Sequence, residues 1–308
     1  MAGATRTGRI RRRRITNFPD HLGVRPGSHR AATSLDVYNQ ARNHELEARA
    51  TLASLARFWN FRGFGTSGGA PAYKETVLYA LTLVGGRGER LKPFTDTLPK
   101  SMVLLNSRPI AEYQVRWMRS QGVTDVVFLT GYLGEKVEEH FGDGSEFGIR
   151  AHYSHEAAPL GRGGATRQGM SLVPADENPI LVTNGDTITD LELSLLMKRH
   201  DSTDALATLM LTRYPSQFGV VEVGDDDLVD GFVEKGMLPV WINAGVYLFD
   251  RAIEPMLPEI GDHETSTFPE LVAQRKLASL RSDAMWLTVD SPKELRAASE
   301  RLAAAGLA

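Results

Sequence analysis

The 308-residue chain contains no cysteine. That absence excludes disulfides, thiol nucleophiles, iron–sulfur clusters and cysteine-ligated zinc, and it removes any reason to expect an oxidising compartment. Long apolar runs are missing too: nothing approaches the ~18 residues that span a bilayer, and no charged-then-apolar leader ends in a small-residue cleavage site. The expectation is a cytoplasmic protein with no membrane partner. Lysine is absent from residues 1–72, which hold twelve Arg against two Asp and two Glu, or +8; residues 73–308 carry 23 Lys and Arg against 34 Asp and Glu, or −11. The net charge of −3 therefore averages two unlike segments.

In the first segment, Arg6, Arg9 and the run Arg11 to Arg14 precede a stretch punctuated by proline and glycine, with too few apolar residues for a core. From Ser34, the spacing of Leu35, Tyr38, Leu46, Leu52, Leu55 and Phe58 would let most of them share one helical face, up to the glycine-rich GFGTSGG at 63–69. Residues 1–72 are thus expected to form a basic extension, partly disordered, with one helix. No aromatic residues interleave with the arginines and no nucleic-acid fold signature follows them, so nucleic acid is not expected as a partner.

Residues 75–308 read as one α/β domain. Apolar runs of strand length at 78–84, 125–130, 180–183, 205–211, 218–223 and 241–249 alternate with helical stretches at 111–121, 134–141, 165–172 and 191–200. Such alternation implies βαβ units, hence a Rossmann-like, mainly parallel sheet flanked by helices. Ser291, Pro292 and Glu294 stand as N-cap, N1 and capping-box acid of a final helix. Asp225 to Asp227 read as a hairpin turn. His152 and His155 straddle a strand end without metal-ligand spacing.

In sheets of this type the loops beyond the strands' carboxyl ends carry ligands. The loop after the first strand contains Gly85, Gly86 and Gly88, followed by Arg90 and, after Pro99, Lys100. It matches neither a dinucleotide fingerprint nor a Walker A loop. Backbone N–H groups freed by glycine together with two cations nevertheless suit a polyphosphate.

Residues 85–110, GGRGERLKPFTDTLPKSMVLLNSRPI, closely resemble the signature of the sugar-1-phosphate nucleotidyltransferases, the pyrophosphorylase family. Four further pieces fall in the family's order: HFGDGSEFGI with PLGRGGA, NGDTITDL, FVEKG and WINAGVYLFD. The resemblance implies attack by a sugar 1-phosphate oxygen on the α-phosphorus of a nucleoside triphosphate, expelling pyrophosphate. It assigns Arg90 to the departing pyrophosphate, Lys100 to the α-phosphate, Lys235 to the sugar phosphate and Asp186 to Mg²⁺. It places Gly85, Gly86, Gly88, Gly131, Arg162, Gly163 and Gly164 at the nucleotide and Gly219, Glu234, Asn243 and Gly245 at the sugar.

Two positions depart from the family pattern. Glu89 stands where a Thr is usual, bringing a carboxylate toward the phosphates. Thr288 stands where the second metal-binding Asp is usual, and Asp290, two residues on, is nominated in its place. The chain ends without a hexapeptide-repeat tail, and its motifs are most similar to the small heptose and mannose 1-phosphate guanylyltransferases, the heptose branch most of all. GTP and a heptose-like or cyclitol phosphate are accordingly expected, with Arg162 donating to the guanine carbonyl. A UTP-dependent hexose 1-phosphate uridylyltransferase and a catalytically silent, nucleotide-binding regulatory protein stand as alternatives, and homo-oligomerisation is left open.

Overall fold

A computed structural model describes residues 78–306; the arginine-rich arm, the helix expected up to Phe58 and the 1–72 boundary lie outside the described residues. In chain order the strands are β1 (Leu78–Leu83), β2 (Leu104–Leu105), β3 (Arg108–Pro109), β4 (Val123–Thr130), β5 (Arg150–His155), β6 (Ile180–Asn184), β7 (Thr187–Thr189), β8 (Ala207–Pro215), β9 (Val220–Val223), β10 (Val229–Val233), β11 (Met237–Phe249), β12 (Leu277–Arg281) and β13 (Trp286–Thr288). The helices are α1 (Ile110–Ser120), α2 (Glu135–Phe141), α3 (Gly161–Met170), α4 (Leu193–Asp201), α5 (Thr267–Ala273) and α6 (Pro292–Ala304).

Seven strands form one sheet in the order β12-β8-β11-β6-β1-β4-β5. All neighbours run parallel except β11, which is antiparallel to both β6 and β8. The central strands β1, β4 and β6 are mostly apolar and buried on both faces of the sheet. Leu81, Phe128, Leu181 and Tyr247 are fully buried. On α1, Ile110, Tyr113, Gln114, Trp117 and Met118 are buried at i, i+3, i+4, i+7 and i+8, the stripe that packs a helix onto a sheet. The final helix begins as its sequence specifies: Ser291 Oγ accepts from Glu294 N at 3.3 Å, and Glu294 returns a carboxylate oxygen to Asp290 N at 2.9 Å.

Three differences from the sequence reading have physical causes. First, β5 is a sheet-edge strand that the periodicity missed, because its RAHYSH has no apolar run; Asp125, wholly buried on β4, holds it by accepting from Arg150 Nε at 2.7 Å. His152 and His155 both lie within β5, three residues apart and so on opposite sides of the pleat. Second, α3 starts at Gly161, four residues before the expected Ala165. Poor helix propensity is overridden there by close packing, since a Cβ on Gly163 would lie 2.6 Å from Pro258 Cγ and one on Gly164 would strike the Glu259 carbonyl. Third, β7 and β13 pair in a separate antiparallel ribbon, with Thr187 opposite Thr288. That pairing carries residues remote in sequence to one end of the main sheet. The acidic turn at 225–227 does join β9 to β10 as a hairpin, with Asp227 at φ 62°.

Candidate active site

The carboxyl ends of β1, β4 and β6 converge on one cavity of about 350 Å³, lined by Gly85, Gly86, Lys100, Glu156, Arg162 and Asp186 among others. The loops after β1 and β4 close on each other so tightly that a Cβ on Gly85 would sit 2.9 Å from Gly131 N. Gly88 adopts φ +62°, and a Cβ there would lie 3.0 Å from Lys100 Cβ, so the missing side chain leaves room for the lysine to turn inward. Lys100 N donates to Gly86 O at 3.2 Å, fixing the lysine to the loop it serves.

At the centre the Lys100 ammonium donates to both Asp186 and Asp290. Burial by itself lowers the ammonium's pKa, but the two carboxylates raise it beyond the ordinary lysine value, so the group remains a cation. Asp290 Oδ1 also accepts from Arg90 Nη2 at 2.8 Å, with the Arg90 side chain largely exposed at the rim. Two features position these acids. From α1, Gln114 Nε2 donates to Asn184 O at 2.5 Å and Thr187 O at 2.7 Å, clasping the turn that holds Asp186. The β7–β13 ribbon, in which the backbone of Thr288 pairs with Thr187, leads directly into Asp290. Glu89 is exposed and pairs with Lys92 at 2.8 Å.

Other expected residues gather elsewhere. Arg162 lines the same cavity with its guanidinium held by Asp262 and, at 2.9 Å, by Glu264, leaving Nη1 without a partner among the described residues. Gly163 and Gly164 are buried against residues 258–263, so the structure packs them away from the cavity that their neighbours line. Asn243 Nδ2 donates to Glu264 Oε1 at 2.9 Å, and its Oδ1 accepts from Gly245 N at 3.0 Å; Gly245 itself packs on Asn184. Glu264 also accepts from the Tyr247 hydroxyl at 2.8 Å, and burial pushes that phenol's pKa up. Lys235, in the β10–β11 turn with φ +54°, lines a second cavity of about 660 Å³. Gly219 and Glu234 line neither cavity, and a Cβ on Gly219 would strike the Phe232 ring. Sequence reasoning missed Glu156, which accepts from Leu160 N at 2.9 Å and belongs to no recognised motif, and Glu264, a lone acid whose partners Arg162, Asn243 and Tyr247 come from other parts of the chain.

A glycine loop, a trapped lysine and two converging carboxylates at strand ends are equipment for a polyphosphate. The family model described as "Nucleotidyl transferase" matches residues 79–305. The chain belongs to the nucleotidyl transferase family. Among its relatives, the mannose-1-phosphate guanyltransferase of Kluyveromyces lactis is 34% identical over 222 residues, 70% of this chain and 62% of that protein. That of Gibberella zeae is 35% identical over 225 residues, 70% of this chain and 61% of the relative. The chain therefore matches about three fifths of these relatives' length. Among solved structures, HddC from Yersinia pseudotuberculosis is similar with a TM-score of 0.58 at 22% identity, covering 73% of this chain and 99% of the other, and it has also been solved with GMP-PN. At that identity the likeness establishes the fold. No helix among the described residues is long and apolar enough to cross a membrane.

Proposed function

We propose that the chain transfers a nucleoside monophosphate from an NTP, with GTP favoured, to a heptose-like sugar 1-phosphate or a related cyclitol phosphate, releasing pyrophosphate and forming an NDP-sugar. The observation that carries this reading is the Lys100 ammonium held between Asp186 and Asp290 beneath the glycine loop. GTP is favoured because the relatives are named guanyltransferases and the fold neighbour is titled with GMP-PN.

The acceptor is already an anion at neutral pH, a phosphate monoester with a second pKa near ~6, so no protein base is required. What the chain supplies is alignment of two mutually repelling anions and stabilisation of charge at the transferring phosphorus. The backbone of Gly85, Gly86 and Gly88 cradles the triphosphate, while Gly131 closes the loop. Lys100, kept protonated, faces the α-phosphate; Arg90 at the rim holds the departing pyrophosphate; Lys235 draws in the sugar phosphate. Arg162 offers Nη1 to the guanine carbonyl from a guanidinium locked by Asp262 and Glu264. We assign Glu234, Asn243, Gly219 and Gly245 to the sugar side, acting through the strand end and hairpin that carry them.

Two carboxylates converging on one cation are a hard-oxygen set that fits Mg²⁺, and Asp186 and Asp290 would hold it. Bound there, the ion would supply positive charge that offsets the phosphates' negative charge. The cytoplasm is the proposed location, on the absence of cysteine. Pyrophosphate release from protein mixed with Mg²⁺, each of the four NTPs and a panel of sugar 1-phosphates tests the reading. GTP should exceed ATP by on the order of 100-fold in kcat/KM. Equal use of UTP and GTP would refute the guanylyl assignment; no release with any pair would favour the silent binding protein that Glu89 and Thr288 motivate.

A further inference from the structure

Glu264 stands in the loop before α5 with its side chain 24% exposed, and donors from α3 and β11 converge on it. Its Oε2 lies 2.9 Å from Arg162 Nη2, while Oε1 accepts from Asn243 Nδ2 at 2.9 Å and from the Tyr247 hydroxyl at 2.8 Å. The backbone is arranged for this meeting. Glu264 N donates to Asp262 Oδ1 at 3.0 Å, which fixes the loop, and the pairing of β11 with β8 shifts register between Asn243 and Tyr247, around Gly245 at φ +73°. Such an irregularity in a ladder re-aims the side chains beside it.

The two oxygens of this one carboxylate face different substrates. On one side Arg162 lines the nucleotide-side cavity together with Asn184 and Asp186, and its Nη1 has no partner among the described residues. On the other side Asn243, assigned to the sugar, has its amide hydrogens committed to Tyr247 and Glu264. Its Oδ1 accepts from Gly245 N at 3.0 Å and keeps a second lone pair for a sugar hydroxyl. Gly245 in turn abuts the cavity wall, since a Cβ there would lie 2.5 Å from Asn184 Nδ2. The acceptor-side pair Asn243 and Gly245 therefore adjoins the same cavity as Arg162, at a residue two positions from Asp186.

We propose that Glu264 is a positioning residue that couples the two substrates: its carboxylate holds Arg162 for the nucleotide and Asn243 for the sugar phosphate, so that binding of either substrate tightens binding of the other. The inference rests on the proposed assignment of Arg162 and Asn243 to those two substrates. Hydrogen bonds in a chain polarise one another, and a ligand that orders one end of the chain spares the second ligand the cost of ordering the shared carboxylate. Only an acceptor at both oxygens can serve both ends. Glu264→Gln leaves one acceptor oxygen and turns an NH₂ group on either the Arg162 guanidinium or the Asn243 amide, donor against donor. Asp262 still holds Arg162 through Nε and Nη2, so the guanidinium stays in the cavity while its link to Asn243 is cut.

The test is titration calorimetry of the full chain in Mg²⁺ with the α,β-methylene analogue of GTP, whose α–β bridge does not break, alone and with saturating mannose 1-phosphate or glucose 1-phosphate. At least one sugar phosphate should lower the analogue's Kd by about fivefold or more, and the analogue should lower that sugar phosphate's Kd by the same factor. Glu264→Gln, Asn243→Ala and Arg162→Met should each bring the factor toward one, and adding either of the last two to Glu264→Gln should change it no further. Phe268→Leu removes a buried ring that packs on Tyr247 and His263 without bonding to the carboxylate, so it should lower Tm and keep the factor. A wild-type factor of one with both sugar phosphates, a factor that survives Glu264→Gln, or one that falls with Tm in Phe268→Leu would overturn the inference; pyrophosphate release from GTP would then leave nucleotidyl transfer standing. Absence of release together with mutual tightening that Glu264→Gln removes would fail the transfer reading and uphold the coupling.

Discussion

Replacing Asp290 by Asn removes one negative charge from the centre of the site and changes almost nothing else. In the structure Asp290 Oδ1 accepts from Lys100 and, at 2.8 Å, from Arg90, while Asp186 takes another proton of the same ammonium. A hydrogen bond to a charged group contributes roughly 1.5–3 kcal/mol, which at 1.4 kcal/mol per decade is about 10- to 150-fold. If Asp290 is the second acid for Mg²⁺, Asp290→Asn should raise the Mg²⁺ concentration for half-maximal rate by at least about 10-fold, with a smaller change in kcat at saturating metal. Thr288→Val removes a hydroxyl from a residue whose backbone is paired in the β7–β13 ribbon, and it should move the same midpoint by less than about threefold. The assay is a Mg²⁺ titration of pyrophosphate release at fixed GTP and sugar phosphate, with GTP kept well below total metal. A large shift in Thr288→Val together with none in Asp290→Asn would refute the reasoning and return the ligand role to Thr288 or to a water it holds.

Four further outcomes are expected. Lys100→Ala should lower turnover by at least ~100-fold, the order seen when a preorganised charge-stabilising group is removed, and wild-type turnover would sink the mechanism. Gly85→Ala should impair both folding and activity because its Cβ would meet the Gly131 backbone at 2.9 Å, whereas Gly131→Ala, with its nearest contact at 3.4 Å, should be milder; urea unfolding and turnover of the pair check this. Burial alone raises the Asp125 carboxyl's pKa, but the hydrogen bonds from Arg150, His152 and Thr124 outweigh it and hold the value below the ordinary one. Such a group stabilises the fold above the unfolded carboxylate pKa of about 3.9, and that contribution is lost as pH falls through the folded value. Arg150→Ala should therefore move the acid-unfolding midpoint to higher pH and lower stability at neutral pH, an unchanged midpoint counting against the account. Deleting residues 1–72 should preserve pyrophosphate release, since every assigned site residue lies at or beyond Gly85; a folded truncation without activity would show that the extension completes the site.

The sequence by itself determined whatever depends on neighbours along the chain. The apolar runs of β1, β4 and β6 declared a sheet covered on both faces, Ser291-Pro292 with Glu294 declared the start of α6, and Gly85, Gly86 and Gly88 with Arg90 and Lys100 declared a glycine-rich loop with two cations at the end of the first strand. Each is a local pattern with a local physical cause. Tertiary structure decided what depends on two distant segments meeting. β5 has no apolar period of its own and becomes a strand because Asp125 on β4 needs Arg150 beside it. Gly161, Gly163 and Gly164, poor helix formers, open α3 where the 258–263 segment packs too close for a side chain at those three positions. Asp290 meets Lys100 only because the β7–β13 pairing, between segments remote in sequence, delivers the residues after Thr288 to the site. The fixing of Arg162 by Glu264 was likewise invisible, since 102 residues separate two side chains that are neighbours only after the sheet has formed.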